Sequence, residues 1–124
     1  MILGIGTDLL DVARMAKELE EEETGFRNTV FTPSEIAYCE AKRYPARHFA
    51  ARFAAKEALF KALAGPASRD SWREVEVART EGAPPRLLLH GGTKEAAARL
   101  GVKNILVSLS HTDSLAAASV VLQG

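Results

Sequence analysis

Two carboxylates and a lysine are the side chains in this sequence best suited to do chemistry. Glu57 and Lys61 are four residues apart in the helical run 47–63, so they project from one side of it, about one turn apart. Asp8 stands at the end of the first predicted strand. A Mg²⁺ site typically combines one or two carboxylates with water and substrate phosphates, and a nearby Lys or Arg stabilises charge on a phosphoryl group in transfer. These residue types therefore indicate a ligand that carries phosphate, together with a divalent cation.

Each of these residues also has a simpler interpretation. Glu57 and Lys61 are spaced as an ordinary helical ion pair, which contributes only a few tenths of a kcal/mol. Asp8 is placed where a helix cap or a turn former often stands. His111, in the polar turn predicted between two β-rich runs, is typical of a surface histidine. The sequence has no Walker A loop, no G-x-G-x-x-G, no H-E-x-x-H and no paired cysteines, so the phosphate-site hypothesis depends on these residues and on three further cations: Arg47, Arg52 and Arg86.

The run 47–63 is the element that must position the candidate site. It contains no Gly or Pro and is dominated by Ala, Leu, Lys, Glu and Arg, which favours a helix. Aromatic and leucine side chains form one stripe and alanines cover most of the rest, so we expect the helix to be buried almost all round. Charges on a buried helix need a partner, a metal or a ligand. Lys56 projects from the aromatic stripe, and the sequence leaves open whether it caps a carbonyl or touches a ligand.

The rest of the chain predicts an α+β fold, because helices are mixed with antiparallel hairpins. Thr32 to Glu35 form a capping-box pattern, which places the start of one helix, and Thr93 is a candidate cap for another. Cys39 is interpreted as a packed core thiol. The predicted strands are 1–7, 72–79, 86–90, 104–109 and 115–122; the predicted helices are 10–23, 33–43, 47–63 and 91–101, with a connection at 26–31, a helix stop at 65–66, a loop at 67–70 and a turn at 81–85.

Length and charge bound the class of protein. A chain of 124 residues predicts a single domain, 1–124. The formal net charge is zero, so no bulk basic field points to nucleic acid. Cys39 is the only cysteine, which fits a reducing compartment. The sequence shows no basic n-region of a signal peptide and no apolar run of about 18–20 residues that would span a membrane. We therefore expect a cytoplasmic protein without membrane or nucleic-acid partners, and the unusual central helix hints at a second subunit that covers it.

Three motifs carry a resemblance to a known family. They are I-L-G-I-G-T-D-L-L-D at the start, F-A-A-K-E-A-L-F-K-A-L in the central helix, and S-L-S-H-T-D-S-L-A-A-A-S-V-V near the end. In this order and spacing they resemble the bacterial holo-[acyl-carrier-protein] synthases, the small trimeric branch of the 4′-phosphopantetheinyl transferase superfamily; F-T-P-S-E-I-A-Y-C between them is also similar. The resemblance implies that superfamily's fold, with an antiparallel sheet packed around a long central helix.

The resemblance also implies an activity. Coenzyme A would bind with Mg²⁺, and a serine hydroxyl of apo-acyl carrier protein would attack the β-phosphorus. The serine would receive 4′-phosphopantetheine and adenosine 3′,5′-bisphosphate would leave, as a step that serves fatty acid biosynthesis. Carried over by motif, Asp8 and Glu57 would hold the metal, and Glu57 would take the serine proton, directly or through a water. Lys61 would neutralise phosphate charge.

Further roles are carried over from the same motifs. Arg52 and His111 would hold the 3′-phosphate of coenzyme A, and three residues would lie near its adenine: Thr112, Pro84 and Arg86. The resemblance implies a homotrimer with sites between subunits. Arg14, assisted by Arg27, would contact the acidic carrier protein, although the run of glutamates at 20–23 opposes such a partner. Two other functions stay open from the residues: a non-catalytic module that binds coenzyme A, another nucleotide or the carrier protein, and a Mg²⁺-dependent phosphohydrolase.

Overall fold

A computed structural model of the protein describes residues 1–64, 69–80 and 82–124. The predicted helix stop at 65–66, the first half of the loop at 67–70 and Glu81 of the predicted turn lie outside this part of the chain. In chain order the elements are β1 (Ile2–Asp11), α1 (Val12–Glu20), α2 (Phe26–Val30), α3 (Pro33–Glu40), α4 (Pro45–Ala62), β2 (Val75–Ala78), β3 (Arg86–Leu89), α5 (Gly91–Arg99), β4 (Asn104–His111) and β5 (Leu115–Gln123), with 3₁₀ turns at Glu22–Thr24 and Arg69–Glu74.

A three-stranded antiparallel sheet in the order β1-β5-β4 packs against α4, while β2 and β3 form a separate antiparallel hairpin. The α+β prediction is therefore confirmed. The contact between sheet and helix is closest at two glycines of β1. A Cβ on Gly4 would overlap the carbonyl oxygen of Ala62, and one on Gly6 would overlap that of Ala58. Absence of a side chain at both positions lets the strand lie directly on the helix backbone.

Helix α4 is buried on most sides, as its composition predicted. Eleven of its 18 residues are buried, and the covering elements are β1, β5, β4, α1 and α3 of the same chain. The chain itself therefore covers most of α4, and the burial of this helix does not require a second subunit. The apolar surface left open lies on the outer face of the sheet, where Ile5, Leu9 and Leu106 are more than half exposed.

Lys56 is completely buried and binds protein groups rather than facing an open site. Its Nζ donates to Glu35 Oε1 at 2.8 Å and to the carbonyl oxygens of Val30, Trp72 and Val75 at 2.9, 3.1 and 2.6 Å. Burial lowers the pKa of Lys56, and the carboxylate of Glu35 opposes that shift. The ammonium group therefore ties α4 to the end of α2, to α3, to the 3₁₀ turn and to β2.

Several boundaries differ from the sequence prediction. β1 continues through Asp8 to Asp11 because β5 pairs with it along its whole length. β4 continues to His111, which is therefore a strand residue and not a turn residue. The first part of the predicted strand 72–79 belongs to the 3₁₀ turn Arg69–Glu74.

Two capping predictions have opposite outcomes. The capping box is present in full: Thr32 N donates to Glu35 Oε1, and Glu35 N donates to Thr32 Oγ1. Thr93, in contrast, is not the cap of α5, because that helix already begins at Gly91. Its N–H and hydroxyl both donate to the carboxylate of Glu74, at 2.7 Å each, so a side chain from the neighbouring 3₁₀ turn satisfies the start of the helix.

Aromatic side chains build a second core beside the sheet. The rings of Phe31 and Phe49 meet edge to face, with centroids 4.9 Å apart, and Phe53 stacks on Trp72 at 5.0 Å. Cys39 lies in this core, fully buried, and burial raises the pKa of its thiol to about 12. The interpretation of Cys39 as a packed thiol is therefore confirmed. No described helix combines the length and hydrophobicity needed to cross a bilayer.

Candidate active site

The acidic residues and the lysine singled out in the sequence do come together. Lys61 Nζ donates to Asp8 Oδ1 and to the carbonyl oxygen of Thr7, both at 3.0 Å. Asp8 sits in the middle of β1, paired with Ala118, so its interpretation as a helix cap or turn former is wrong. It follows Gly4 and Gly6 on the side of the strand that faces α4. The strand thereby delivers a carboxylate to the surface of the helix.

Glu57 completes this group from one turn earlier on α4. Its side chain is half-buried, and its pKa is raised by burial first and then by the negative charge of Asp8, while Lys61 opposes the shift. The effect of Asp8 on the pKa of Glu57 is what two neighbouring carboxylates are expected to produce. A divalent cation is the natural partner for such a pair.

The donor set fits a magnesium ion rather than a closed protein cage. Within residues 1–64, 69–80 and 82–124, no three or more His, Cys, Asp or Glu side chains cluster as metal ligands. Asp8 and Glu57 therefore offer two carboxylates, and Mg²⁺ usually takes one or two of these while keeping several waters and substrate phosphates. Lys61, with a side chain 54% exposed against 17% for Asp8, is free to turn toward an added phosphate.

A second candidate group lies elsewhere on α4, around Arg52. The Arg52 residue is only 2% exposed, its guanidinium carbon lies 4.1 Å from the ring centroid of Tyr38, and Nη1 makes a long 3.4 Å bond to the carbonyl oxygen of His48. Among the described residues, nothing accepts a hydrogen bond from its Nε. A buried cation with an unused donor is poised for an anion.

His111 belongs to the same group, together with a residue that sequence reasoning missed. The rings of His48 and His111 lie 5.1 Å apart. Burial first, and then the positive charges of His111 and Arg52, lower the pKa of His48 to about 4. The spacing of His48 and Arg52, four residues on one helix, was the signal that could have found it.

The turn after β4 holds Thr112 in a structural role. Its Oγ1 accepts from Ser114 N at 3.3 Å and from Leu115 N at 3.1 Å, and its own N–H donates to the carbonyl of Leu115. Asp113 pairs with Arg47 at 3.2 Å. Thr112 thus shapes the rim beside His111 while its side chain remains exposed.

Pro84 and Arg86 are exposed and belong to the far hairpin, Arg86 being the first residue of β3. Another cation, Arg79 at the end of β2, has a charge that helps to lower the pKa values of His48 and Tyr38. Arg79 was also missed, because nothing in the alternating pattern of this strand marks one charge above the others.

One chain does not bring its two candidate groups together. Arg52 and Glu57 are five residues apart on α4, which places them about 140° apart around the helix axis. Asp8 is on β1 and His111 on β4, the two outer strands of the sheet. The group formed by Asp8, Glu57 and Lys61 and the cationic group around Arg52 therefore face different sides of the molecule.

The two arginines expected to contact a partner, Arg14 and Arg27, differ in exposure and in the bonds that they already make. Arg14 is exposed on α1 and borders a groove of about 530 Å³ whose apolar floor includes Met15, Phe26 and Phe53. Arg27 is already engaged: it donates to the carbonyl of Leu19 at 3.3 Å and pairs with Glu40 at 3.3 Å. The glutamates at 20–23 are exposed.

Comparison with known proteins places the chain in a family. The family model described as the 4′-phosphopantetheinyl transferase superfamily matches residues 4–120. The holo-[acyl-carrier-protein] synthase of Geotalea daltonii is 41% identical over 124 residues, covering 99% of both chains, and that of Solibacter usitatus is 44% identical over 125 residues, again covering 99% of both.

Solved structures agree with the curated relatives. Holo-[acyl-carrier-protein] synthase from Neisseria meningitidis superposes with a TM-score of 0.88 at 26% identity, covering all of both chains. The Helicobacter pylori enzyme, in complex with coenzyme A, superposes with a TM-score of 0.81 at 29% identity, covering 96% of this chain and 99% of that one. The chain therefore belongs to the 4′-phosphopantetheinyl transferase superfamily, a family of enzymes, as its motifs predicted.

Proposed function

We propose that this protein, acting as one domain over residues 1–124, is a holo-[acyl-carrier-protein] synthase. It moves 4′-phosphopantetheine from coenzyme A to a serine of apo-acyl carrier protein and releases adenosine 3′,5′-bisphosphate, in a Mg²⁺-dependent step of fatty acid biosynthesis in the cytoplasm. The observation that carries this proposal is the meeting of Asp8, Glu57 and Lys61 where β1 crosses α4.

Asp8 and Glu57 would hold the Mg²⁺ ion, which neutralises charge on the diphosphate of coenzyme A. The serine oxygen of the carrier protein forms a bond to the β-phosphorus, and the bond from that phosphorus to the bridging oxygen breaks. Glu57, whose raised pKa favours proton uptake, accepts the serine proton. Lys61 turns from Asp8 toward the bridging oxygen and stabilises the negative charge that remains on the leaving bisphosphate.

The 3′-phosphate of coenzyme A is assigned to the cationic group. Arg52 supplies a buried guanidinium whose Nε–H no described residue accepts, and His111 supplies a ring that lies against His48, one helical turn before Arg52. The adenine is assigned to Thr112, on the turn after His111, and to Pro84 and Arg86 of the β2–β3 hairpin. The protein should prefer coenzyme A to a ligand without the 3′-phosphate, because that phosphate would bind the positive charge of the cationic group.

We further propose a homotrimer with its sites between subunits. Ile5 and Leu106 flank Val121 across the three strands, and they are 71% and 52% exposed. Such a contiguous apolar row on an outer sheet face is typical of an interface. Contact between copies through this face would let the Asp8–Glu57 side of one subunit meet the Arg52 side of its neighbour.

The acidic carrier protein is assigned to the surface around Arg14. Among the described residues Arg14 has no ion-pair partner, and its groove has an apolar floor, with Glu18 and Glu21 also in the lining. The cation and the apolar floor suit a helix with acidic and apolar residues, while the two glutamates oppose one. Arg27 lies nearby, but its bonds to Leu19 and Glu40 make it a weaker contact. Rising salt should therefore raise the KM for the carrier protein more than the KM for coenzyme A.

The direct test is mass spectrometry of apo-acyl carrier protein after incubation with the protein, coenzyme A and Mg²⁺. A gain of one phosphopantetheine on the carrier is expected. Glu57→Gln should abolish the gain with the fold intact by circular dichroism, whereas Glu95→Gln, an exposed glutamate of α5, should change nothing. Coenzyme A binding indifferent to Mg²⁺ and without transfer would indicate the binding module, and bisphosphate release without carrier would indicate the hydrolase.

Mixing variants tests whether sites are shared. Glu57→Gln and Arg52→Ala each damage a different half of the site. If subunits exchange into mixed trimers, a fraction of interfaces receives both intact halves, and activity returns above that of either variant alone. Activity that stays at the level of the separate variants, although mass spectrometry shows mixed assemblies, would place both halves in one subunit.

A further inference from the structure

The cationic group around Arg52 contains more titratable rings than the reaction requires. Its members come from three elements and from the end of β2, and they surround a half-buried ring: Tyr38, Lys42, His48, Arg52, Arg79 and His111. The ring centroids of Tyr38 and His48 are 6.2 Å apart, and those of His48 and His111 are 5.1 Å apart.

No carboxylate balances the centre of this group in the described residues. The acids at its margin are paired with other cations: Asp113 with Arg47 at 3.2 Å and Glu40 with Arg27 at 3.3 Å. Arg52 is 2% exposed and keeps a donor unused. The electrostatic potential at the centre is therefore positive, and protonation of the His48 ring is unfavourable until an anion binds.

We infer that His48 is a further ligand-binding residue, and that a phosphate monoester entering between Arg52 and His111 binds together with a proton that His48 takes from solvent. The inference rests on the proposed function only in placing the 3′-phosphate of coenzyme A in this group. His48 then becomes an imidazolium that donates to a phosphate oxygen, and no covalent bond changes.

The magnitude follows from the charges. The pKa of His48 is about 4 in the free protein. One negative charge about 4 Å away in a partly buried setting raises a histidine pKa by about three, so the pKa in the complex is about 7. The phosphate monoester is itself a dianion above about pH 7, since its second pKa is about 6. Below about pH 7 the complex therefore holds a proton that free His48 lacks, and affinity rises as the pH falls.

The experiment compares coenzyme A with dephospho-coenzyme A, which lacks only the 3′-phosphate. Affinities of the complete protein for both are measured by calorimetry at pH 8 and pH 6 with constant Mg²⁺, in buffers of different ionisation enthalpy. Taking the ratio of the two affinities cancels pH effects at the metal. In the wild type the ratio should rise about fivefold from pH 8 to pH 6, since His48 contributes about tenfold and protonation of about half of the free phosphate monoester at pH 6 takes back about twofold; net proton uptake is expected for coenzyme A alone.

His48→Gln and His48→Phe should abolish most of that rise, because neither side chain takes a proton. His90→Gln is the matched control: His90 is an exposed histidine paired with Glu76 at 3.3 Å, and its loss should leave the rise unchanged. Thermal melts establish that each variant folds. The wild type alone also decides the matter, since absence of proton uptake would overturn the inference whatever the variants do.

The outcomes separate this inference from the function on which it rests. A wild type that prefers coenzyme A, with the same pH response before and after His48→Gln, would overturn the role of His48 and leave the function standing. A wild type that transfers phosphopantetheine equally well from both ligands, with equal affinities at both pH values, would instead remove the 3′-phosphate from this pocket.

Discussion

Replacing Lys56 with methionine is the sharpest test of how the central helix is held. The substitution keeps a long, unbranched side chain but removes the ammonium group that binds Glu35 and three carbonyl oxygens at 2.6–3.1 Å. Both side chains are 0% exposed, so water cannot replace the lost partner. Breaking a buried ion pair from one side costs about 3–5 kcal/mol, against a total of about 5–15 kcal/mol for a domain.

Urea unfolding measures this loss directly. Trp72, the only tryptophan, reports through its fluorescence, and circular dichroism checks it because the Trp72 carbonyl is one of the groups bound by Lys56. With a urea dependence of about 1–3 kcal/mol per molar, the midpoint of Lys56→Met should fall by about 2 M. Protomer concentration must be held fixed, since the stability of an oligomer depends on it. Lys94→Met, at an exposed position on α5, should change the free energy of unfolding by less than about 0.5 kcal/mol.

A double-mutant cycle separates the charge pair from the carbonyl bonds. Glu35→Gln has a single acceptor oxygen. If that oxygen keeps the bond from Val77 N, which donates to Glu35 Oε2 at 2.9 Å, the amide nitrogen faces Lys56 and Thr32 N, so the ammonium loses its counterion and the capping bond is lost as well. The double variant should be more stable than the sum of the single losses predicts, by about 1–3 kcal/mol. A loss below about 1 kcal/mol for Lys56→Met, or strict additivity in the cycle, would refute the reasoning.

Three further outcomes are expected. Gly6→Ala should cost about 1–3 kcal/mol or more, because its Cβ would overlap a carbonyl of α4, whereas Gly92→Ala, with its nearest neighbour at 3.7 Å, should be neutral in the same denaturation assay. Cys39 should resist thiol reagents at pH 8 until urea unfolds the chain, since burial raises its thiol pKa to about 12; rapid labelling of native protein would contradict this. Leu106→Asp should convert the proposed trimer to smaller species in light scattering and reduce transferase activity in parallel, while Leu100→Asp, at an exposed position at the end of α5, should do neither; an unchanged mass for Leu106→Asp would count against the sheet face as the interface.

Local signals in the sequence were enough for the longer helices and for the main partners of the site, whereas the short α2 (Phe26–Val30) falls in the stretch predicted as a connection. The run at 47–63 predicted a buried helix because composition and periodicity agree there, and Thr32 with Glu35 predicted a start that depends on neighbouring residues only. Glu57 and Lys61 were found because residues four apart on a helix lie next to each other on its surface. These features are determined within one turn of the chain.

What the sequence could not reveal depends on contacts between distant segments. Asp8 was expected at the end of a strand, yet β5 extends β1 past it by pairing more than a hundred residues away. The role of Lys56 depends on carbonyls from three other segments, and the significance of His48 depends on His111 lying against it. Hydrophobic pattern and secondary-structure propensity carry no information about contacts between residues that are far apart in the sequence.

The contact between the glycines of β1 and the backbone of α4 can extend over only a few residues, and this affects the position of Asp8. Gly4 meets the backbone at Ala62 and Gly6 meets it at Ala58, so two strand residues are matched to four helix residues. Two residues of strand advance about 6.7 Å, whereas four of helix advance about 6.0 Å. The two repeats differ by about 0.7 Å at every step, so the match between glycine and helix carbonyl cannot continue along many residues. Asp8 occupies the next inward position, where the strand carries a side chain instead of a glycine and its carboxylate meets Lys61 one turn along the same helix.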